Sequence, residues 1–206
     1  MAENKKAGPW IWVAVGAVVV LAGVGYWLRR GEGLDEPAGN GAAEALQVHF
    51  GEEVARVVAG RQDWDLAFRP WIGREVGDFA FVDIDGNEHR ISDFKGKNAV
   101  LVFWATWCPA CRVEVPHLIA LREAVGEDEL EIVAVSQESV DELRAFAEGA
   151  GINYVVGTVD SELPEPFAGV RSIPMTFFVD PEGRLKVAAL GVISTEESLA
   201  IVRAGG

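Results

Sequence analysis

Cysteine is scarce in this sequence. There are two in 206 residues, Cys108 and Cys111. A structural disulfide framework uses several cysteines spread along the chain, so that class is excluded. A closed zinc site needs four ligands, commonly two such pairs or one pair with histidines. No second pair exists, and His49, His89 and His117 are scattered, so no metal site is expected. Positive charge is also short: 18 Lys and Arg face 32 Asp and Glu, for a formal net charge of −14. Phosphate backbones are bound by basic surfaces, which excludes a nucleic-acid partner. The acidity reads as a self-repelling, solubilising surface. Internal repeats and low-complexity tracts are absent as well.

Long uncharged runs are missing with one exception, Trp10 to Leu28. At 1.5 Å per residue this run spans ~28 Å, close to the hydrocarbon thickness of a bilayer. Trp10, Trp12, Tyr26 and Trp27 stand at its ends, as interfacial aromatics do, with Lys5 and Lys6 before it and Arg29 and Arg30 after it. A cleaved signal peptide has a shorter apolar centre and a small-x-small site, and Arg-Arg-Gly-Glu-Gly after Leu28 offers none. The reading is a tail over 1–9 and a single transmembrane anchor over 10–28. The flanking basic residues nearly balance, and the preferred orientation puts the amino terminus inside and the large domain outside.

Residues 29–75 read as a linker, rich in Gly, Ala and acids at its start. Within it, Leu46, Phe50, Val54 and Val57 or Val58 have helical spacing, which predicts a short amphipathic helix over 42–59. Trp64, Phe68 and Trp71 lie among charges and their pattern assigns them no role; they either pack onto the following domain, placed at 76–206, or belong to an added recognition element.

That domain alternates strands and helices. Phe79–Ile84 and Asn87–Ile91 flank Asp85-Gly86 as a hairpin. Apolar runs at Ala99–Trp104 and Leu130–Val135 read as buried strands, and Tyr154–Val156 as a short extended piece. Helical spacing marks Pro109–Val125 and Val140–Ala147. Met175–Val179 and Leu185–Leu190 flank the Asp180-Pro181-Glu182-Gly183 turn, and Ser194-Thr-Glu-Glu opens a last capped helix. The alternation implies an α/β fold, a central sheet with helices on both faces.

The two cysteines fall where a buried strand gives way to a helix. Pro109 suits the first helical position, so Cys108 stands at the helix amino terminus. Unpaired N–H groups and the macrodipole favour negative charge there, which lowers a cysteine pKa. The thiolate is the nucleophile of disulfide exchange, and Cys111, one turn inward, is placed to resolve the mixed disulfide. A Cys-x-x-Cys in this context is a redox signal.

Phe103-Trp-Ala-Thr-Trp-Cys-Pro-Ala-Cys-Arg-Val-Glu-Val-Pro resembles the active-site stretch of the thioredoxin superfamily. With Gly77-Asp78-Phe79, Phe94-Lys95-Gly96-Lys97, Ser172-Ile173-Pro174-Met175-Thr176 and Asp180-Pro181-Glu182-Gly183, it resembles more narrowly the membrane-anchored TlpA/ResA/CcmG-like thiol–disulfide oxidoreductases. The resemblance covers roughly residues 76–203. It implies a thioredoxin-like fold with a mixed sheet and an extra N-terminal hairpin, preceded by one transmembrane helix. It also implies a cis Ile173–Pro174 bond facing the cysteines, with the Ile173 backbone pairing with an extended substrate. Thioredoxins proper carry a buried aspartate where this chain has Val102. In the TlpA/ResA-like branch a glutamate at the Glu114 position is the familiar carboxylate, able to take a proton from Cys111 and to oppose thiolate formation. Trp107 either shields the disulfide or packs, and His117 points away from the cysteine face.

The resemblance implies a reductase of extracytoplasmic protein disulfides on the bacterial cytoplasmic membrane, in a branch known for cytochrome c maturation. Electrons would come from a membrane thiol reductase, with no cofactor beyond the redox-active Cys108–Cys111 pair. A general reductase, a disulfide oxidant and a Cu(I) metallochaperone using the same thiols remain open. A peroxiredoxin would need Thr or Ser at position 105 and a proline further upstream. Position 105 is Ala, and no proline lies between Pro70 and Pro109.

Overall fold

The computed structural model describes residues 66–204, together with Glu52, Ala55 and Arg56. The anchor expected at 10–28 and most of the 29–75 segment, including nearly all of the helix expected over 42–59, lie outside the described residues. Among the described residues no helix is long and apolar enough to cross a membrane.

Seven strands form one sheet: β1 (Ala80–Asp83), β2 (Glu88–Arg90), β3 (Asn98–Phe103), β4 (Leu130–Ser136), β5 (Val155–Thr158), β6 (Met175–Val179) and β7 (Leu185–Leu190). Their spatial order is β2-β1-β5-β4-β3-β6-β7. The central β5-β4-β3 run is parallel, and the other pairings are antiparallel, so the sheet is mixed as expected. Gly157 in β5 has a physical reason: a Cβ there would lie 2.6 Å from the Phe81 ring on the neighbouring strand.

Three α-helices follow: α1 (Pro109–Ala124), α2 (Val140–Ala150) and α3 (Thr195–Arg203). Ser139 with Glu142 and Ser194 with Glu197 form capping boxes that start α2 and α3. Gly151, at φ 66°, closes α2 in the left-handed conformation that a side chain resists.

The expectation of α-helices on both faces of the sheet is corrected here. Val100 and Val102 of β3 face a core shared with Val115 and Leu118 of α1, Leu143 of α2 and Ile201 of α3. Leu101 and Phe103 face a second core that no α-helix of the described residues enters. Short 3-10 helices close that face through Phe68, Ile91, Phe94 and Phe167. The strand order explains this. The chain steps from β3 to β4 to β5 in one direction, and two right-handed crossovers taken in one direction put α1 and α2 on one face.

Phe68 sits edge-on to Phe177 with ring centroids 4.9 Å apart, and Gly73 and Arg74 exchange backbone hydrogen bonds with Leu185. The residues around Trp71 therefore pack onto the domain, and the packed body extends upstream of position 76.

Candidate active site

β3 delivers its carboxyl end to a tight turn. Trp104 still donates its N–H to Val135 O at 3.2 Å, and the chain then leaves the sheet. Cys108 N donates back to Ala105 O at 3.2 Å, closing a four-residue turn, and Cys108 itself caps α1 with extended backbone angles. Its sulfur accepts the N–H of Cys111 at 3.3 Å. One of the orphan donors of the helix start is thus aimed at the sulfur, the geometry that favours a thiolate.

Cys108 and Cys111 form a disulfide with Cα atoms 5.3 Å apart. Both are buried, Cys111 more deeply. Pro109 occupies the first turn of α1 as expected and is exposed. Trp107 is 69% exposed, so simple core packing is not its role.

The Ile173–Pro174 peptide bond is cis, as the resemblance implied. Cys108 Sγ lies 3.9 Å from Ile173 O, although 65 positions separate the residues. Pro174 O accepts the N–H of Gly191 at 2.9 Å, which ties this loop to the start of the segment leading to α3. An open groove of about 1010 Å³ begins at this edge and is lined by Trp107, Glu138, Leu163, Phe167 and Ile173.

Glu114 is buried to 1% exposure. Its Oε1 accepts from the Thr176 hydroxyl at 3.3 Å and from Ile193 N at 3.3 Å. Thr176 is the β6 partner of Val102. The carboxyl group that this chain lacks on β3 therefore arrives from α1, at the strand pair to which Val102 belongs. Burial first, and then the nearby charge of Glu114, push the Tyr154 phenol above its ordinary pKa. The His117 ring meets α3 instead: its Nδ1 lies 3.5 Å from the Thr195 hydroxyl, which donates to the His117 carbonyl at 3.1 Å.

One residue that the sequence did not flag holds the turn that leads into Cys108. Glu138 accepts the Thr106 N–H at 2.7 Å and the Thr106 hydroxyl at 2.5 Å, from 32 positions away. Its only local signal is its place just before the Ser139 cap, which says nothing about Thr106.

A family model, the AhpC/TSA family, matches residues 72–188, more than half of the chain. The chain belongs to the AhpC/TSA family. ResA, a thiol-disulfide oxidoreductase of Geobacillus thermodenitrificans (strain NG80-2), is 32% identical over 127 residues, covering 61% of this chain and 73% of that protein. ResA of Bacillus subtilis (strain 168) is 32% identical over 124 residues, covering 59% and 69%. Among solved structures, a thioredoxin-family thiol:disulfide interchange protein from Chlorobium tepidum TLS superposes with a TM-score of 0.59 at 27% identity, covering 64% of this chain and 96% of that one. StoA from Bacillus subtilis, at 21% identity and a TM-score of 0.51, shares the fold. This member of the family is a thiol–disulfide oxidoreductase of the ResA type with a thioredoxin-like domain.

Proposed function

We propose that this oxidoreductase works as a reductase of extracytoplasmic polypeptides, tethered to the bacterial cytoplasmic membrane by residues 10–28. The observation that carries the reading is the approach of Cys108 Sγ to Ile173 O, 3.9 Å apart at the edge of an open groove. A substrate strand pairing with the Ile173 backbone would lay its disulfide on Cys108.

The Cys108 thiolate attacks one substrate sulfur, that S–S bond breaks, and the other substrate sulfur leaves as a thiolate that takes a proton. The Cys111 thiol, losing its proton, then attacks Cys108 Sγ. The second substrate sulfur leaves and the Cys108–Cys111 disulfide forms. Two electrons have passed from the pair to the substrate, and no cofactor beyond the pair takes part. A membrane thiol reductase returns the electrons by the same exchange.

Glu114 supports the reducing direction. It follows Cys111 by three residues on α1, where side chains are neighbours. A carboxylate there works against the negative charge that the helix start favours, so the reduced form gains less from its thiolate than in a strong oxidant. Apocytochrome c, whose paired cysteines must be reduced before haem attachment, is the substrate that the resemblance to the TlpA/ResA/CcmG-like branch suggests.

The test is trapping. Cys111→Ala, expressed in the native membrane, should accumulate mixed disulfides through Cys108, and cytochrome c partners among them would support maturation. A crowd of unrelated proteins would replace that substrate with a general one. If no covalent partner accumulates and Cys108→Ala behaves identically, the exchange reading is wrong.

A further inference from the structure

We propose that Glu138 is a positioning residue for the exchange reaction, fixing the turn that presents Cys108 and setting the charge its thiolate meets. This rests on the reading of Cys108 as the attacking thiol.

The turn from Ala105 to Cys108 is anchored at its two ends, where Ala105 and Cys108 are buried, but not in its middle, Thr106 and the exposed Trp107. It lies beyond the last sheet hydrogen bond at Trp104, and the Trp107 ring is too exposed to anchor it by packing. Its closing bond, Cys108 N to Ala105 O, leaves the Thr106 N–H and hydroxyl to find partners. Glu138 takes both, one on each carboxylate oxygen, at 2.7 and 2.5 Å. The carboxylate is itself pinned. Ser136, the last residue of β4, donates its hydroxyl to Glu138 Oε2 at 3.0 Å and accepts the Glu138 N–H at 3.2 Å. Hydrogen bonds to a carboxylate are short and directional. The end of β4 thereby sets the angle at which the nucleophile leaves the end of β3.

The same carboxylate is bonded two residues before the sulfur. Its charge opposes a thiolate at Cys108 from the turn side, as that of Glu114 does from the helix side.

The full-length chain in detergent, with Glu138→Gln and Glu138→Ala, separates the two roles. Gln keeps one oxygen for the Thr106 N–H and Ser136, while its amide can donate to the Thr106 hydroxyl, which then accepts. The turn should survive, and the Cys108 pKa, read from the pH dependence of alkylation of the reduced protein, should fall by about one unit. Ala removes all the bonds. There kcat/KM for a protein disulfide should fall about tenfold, because small misplacements of a reacting group are costly. Thr106→Val, which keeps the backbone bond, should lose about fourfold by the same reasoning, and it serves if the Ala variant does not fold. An unmoved Cys108 pKa in Glu138→Gln overturns the proposal. So does turnover within twofold of wild type in Glu138→Ala, or in Thr106→Val if it stands in. A wild-type chain that exchanges no disulfides overturns the underlying assignment of Cys108 instead.

Discussion

The Thr176 hydroxyl donates to the Glu114 carboxylate at 3.3 Å, and so joins the helix that opens at the cysteines to the strand that follows the cis proline. The two residues are 62 positions apart, and both are 1% exposed. The contact couples the thiol side of the site to its substrate-facing side through one buried carboxylate. Replacing Glu114 by Ala strands the Thr176 hydroxyl and the Ile193 N–H in the core and should cost about 1–3 kcal/mol in urea unfolding. Glu114→Gln keeps the shape. It should lower the apparent thiol pKa values and raise the reduction potential, since a charge opposing the thiolate is gone. An unchanged potential in the Gln variant would remove Glu114 from the redox chemistry.

Trp107 offers a test of the docking surface. Its exposed ring contributes little packing, so Trp107→Ala should leave stability within about 0.5 kcal/mol of wild type. Reduction of a protein disulfide should drop about tenfold in kcat/KM, an effect of the size seen for aromatic anchors. A small-molecule disulfide should be reduced at an unaltered rate. Equal losses on both substrates would mean that the ring shapes the thiols rather than the docking.

Lys186 is buried in β7 and donates to the carbonyls of Ile201, Val202 and Ala204, where α3 ends. Burial pulls its amine from the ordinary 10.5 down to about 8, against the partly compensating charges of Asp180 and Glu182. The folded pKa is the lower one, so between about 8 and 10.5 the unfolded chain binds the proton more readily. The penalty for charging Lys186 in the core disappears as pH rises through that window. The stability of wild type relative to Lys186→Met should therefore grow from pH 8 to 10.5, followed by urea unfolding at each pH. A flat or shrinking difference would contradict it.

Asp83 predicts behaviour at the acid end. Burial alone would push its carboxyl up. Hydrogen bonds from the Asn87 side chain, His89 and the backbone N–H groups of Asn87 and Asp85 prevail and hold it at about 2, against an ordinary 3.8. With the folded pKa depressed, the stabilisation is complete above 3.8 and is lost as pH falls through about 2. Asp83→Asn should flatten the acid limb of the stability curve over that range, measured by thermal unfolding at successive pH values. A wild-type curve already flat there would dismiss the role of the hairpin carboxylate.

The local features of this protein were written in its sequence. The strand into Cys108, Pro109 at the first helical position, the Ser139 and Ser194 caps and the Asp180–Gly183 turn are decided by residues within about four positions of one another. Propensity and patterning act over that range. The Cys108–Cys111 disulfide is also local, one helical turn long. Tertiary structure decided the rest. Which face the α-helices share follows from the order of β5, β4 and β3, which no local signal encodes. Glu114 reads as a helix residue next to Cys111, but its depth and its partners Thr176 and Ile193 come from the packing of α1 between β6 and the segment before α3. Glu138 reads only as the residue before a cap. It reaches Thr106 because β3 and β4 are parallel neighbours whose carboxyl ends stop side by side. The sequence alone determined the chemistry of the pair. Glu138 and the carbonyl of Ile173 were brought to it by strand register, and Glu114 was buried by the packing of α1, because both couple residues that the chain keeps far apart.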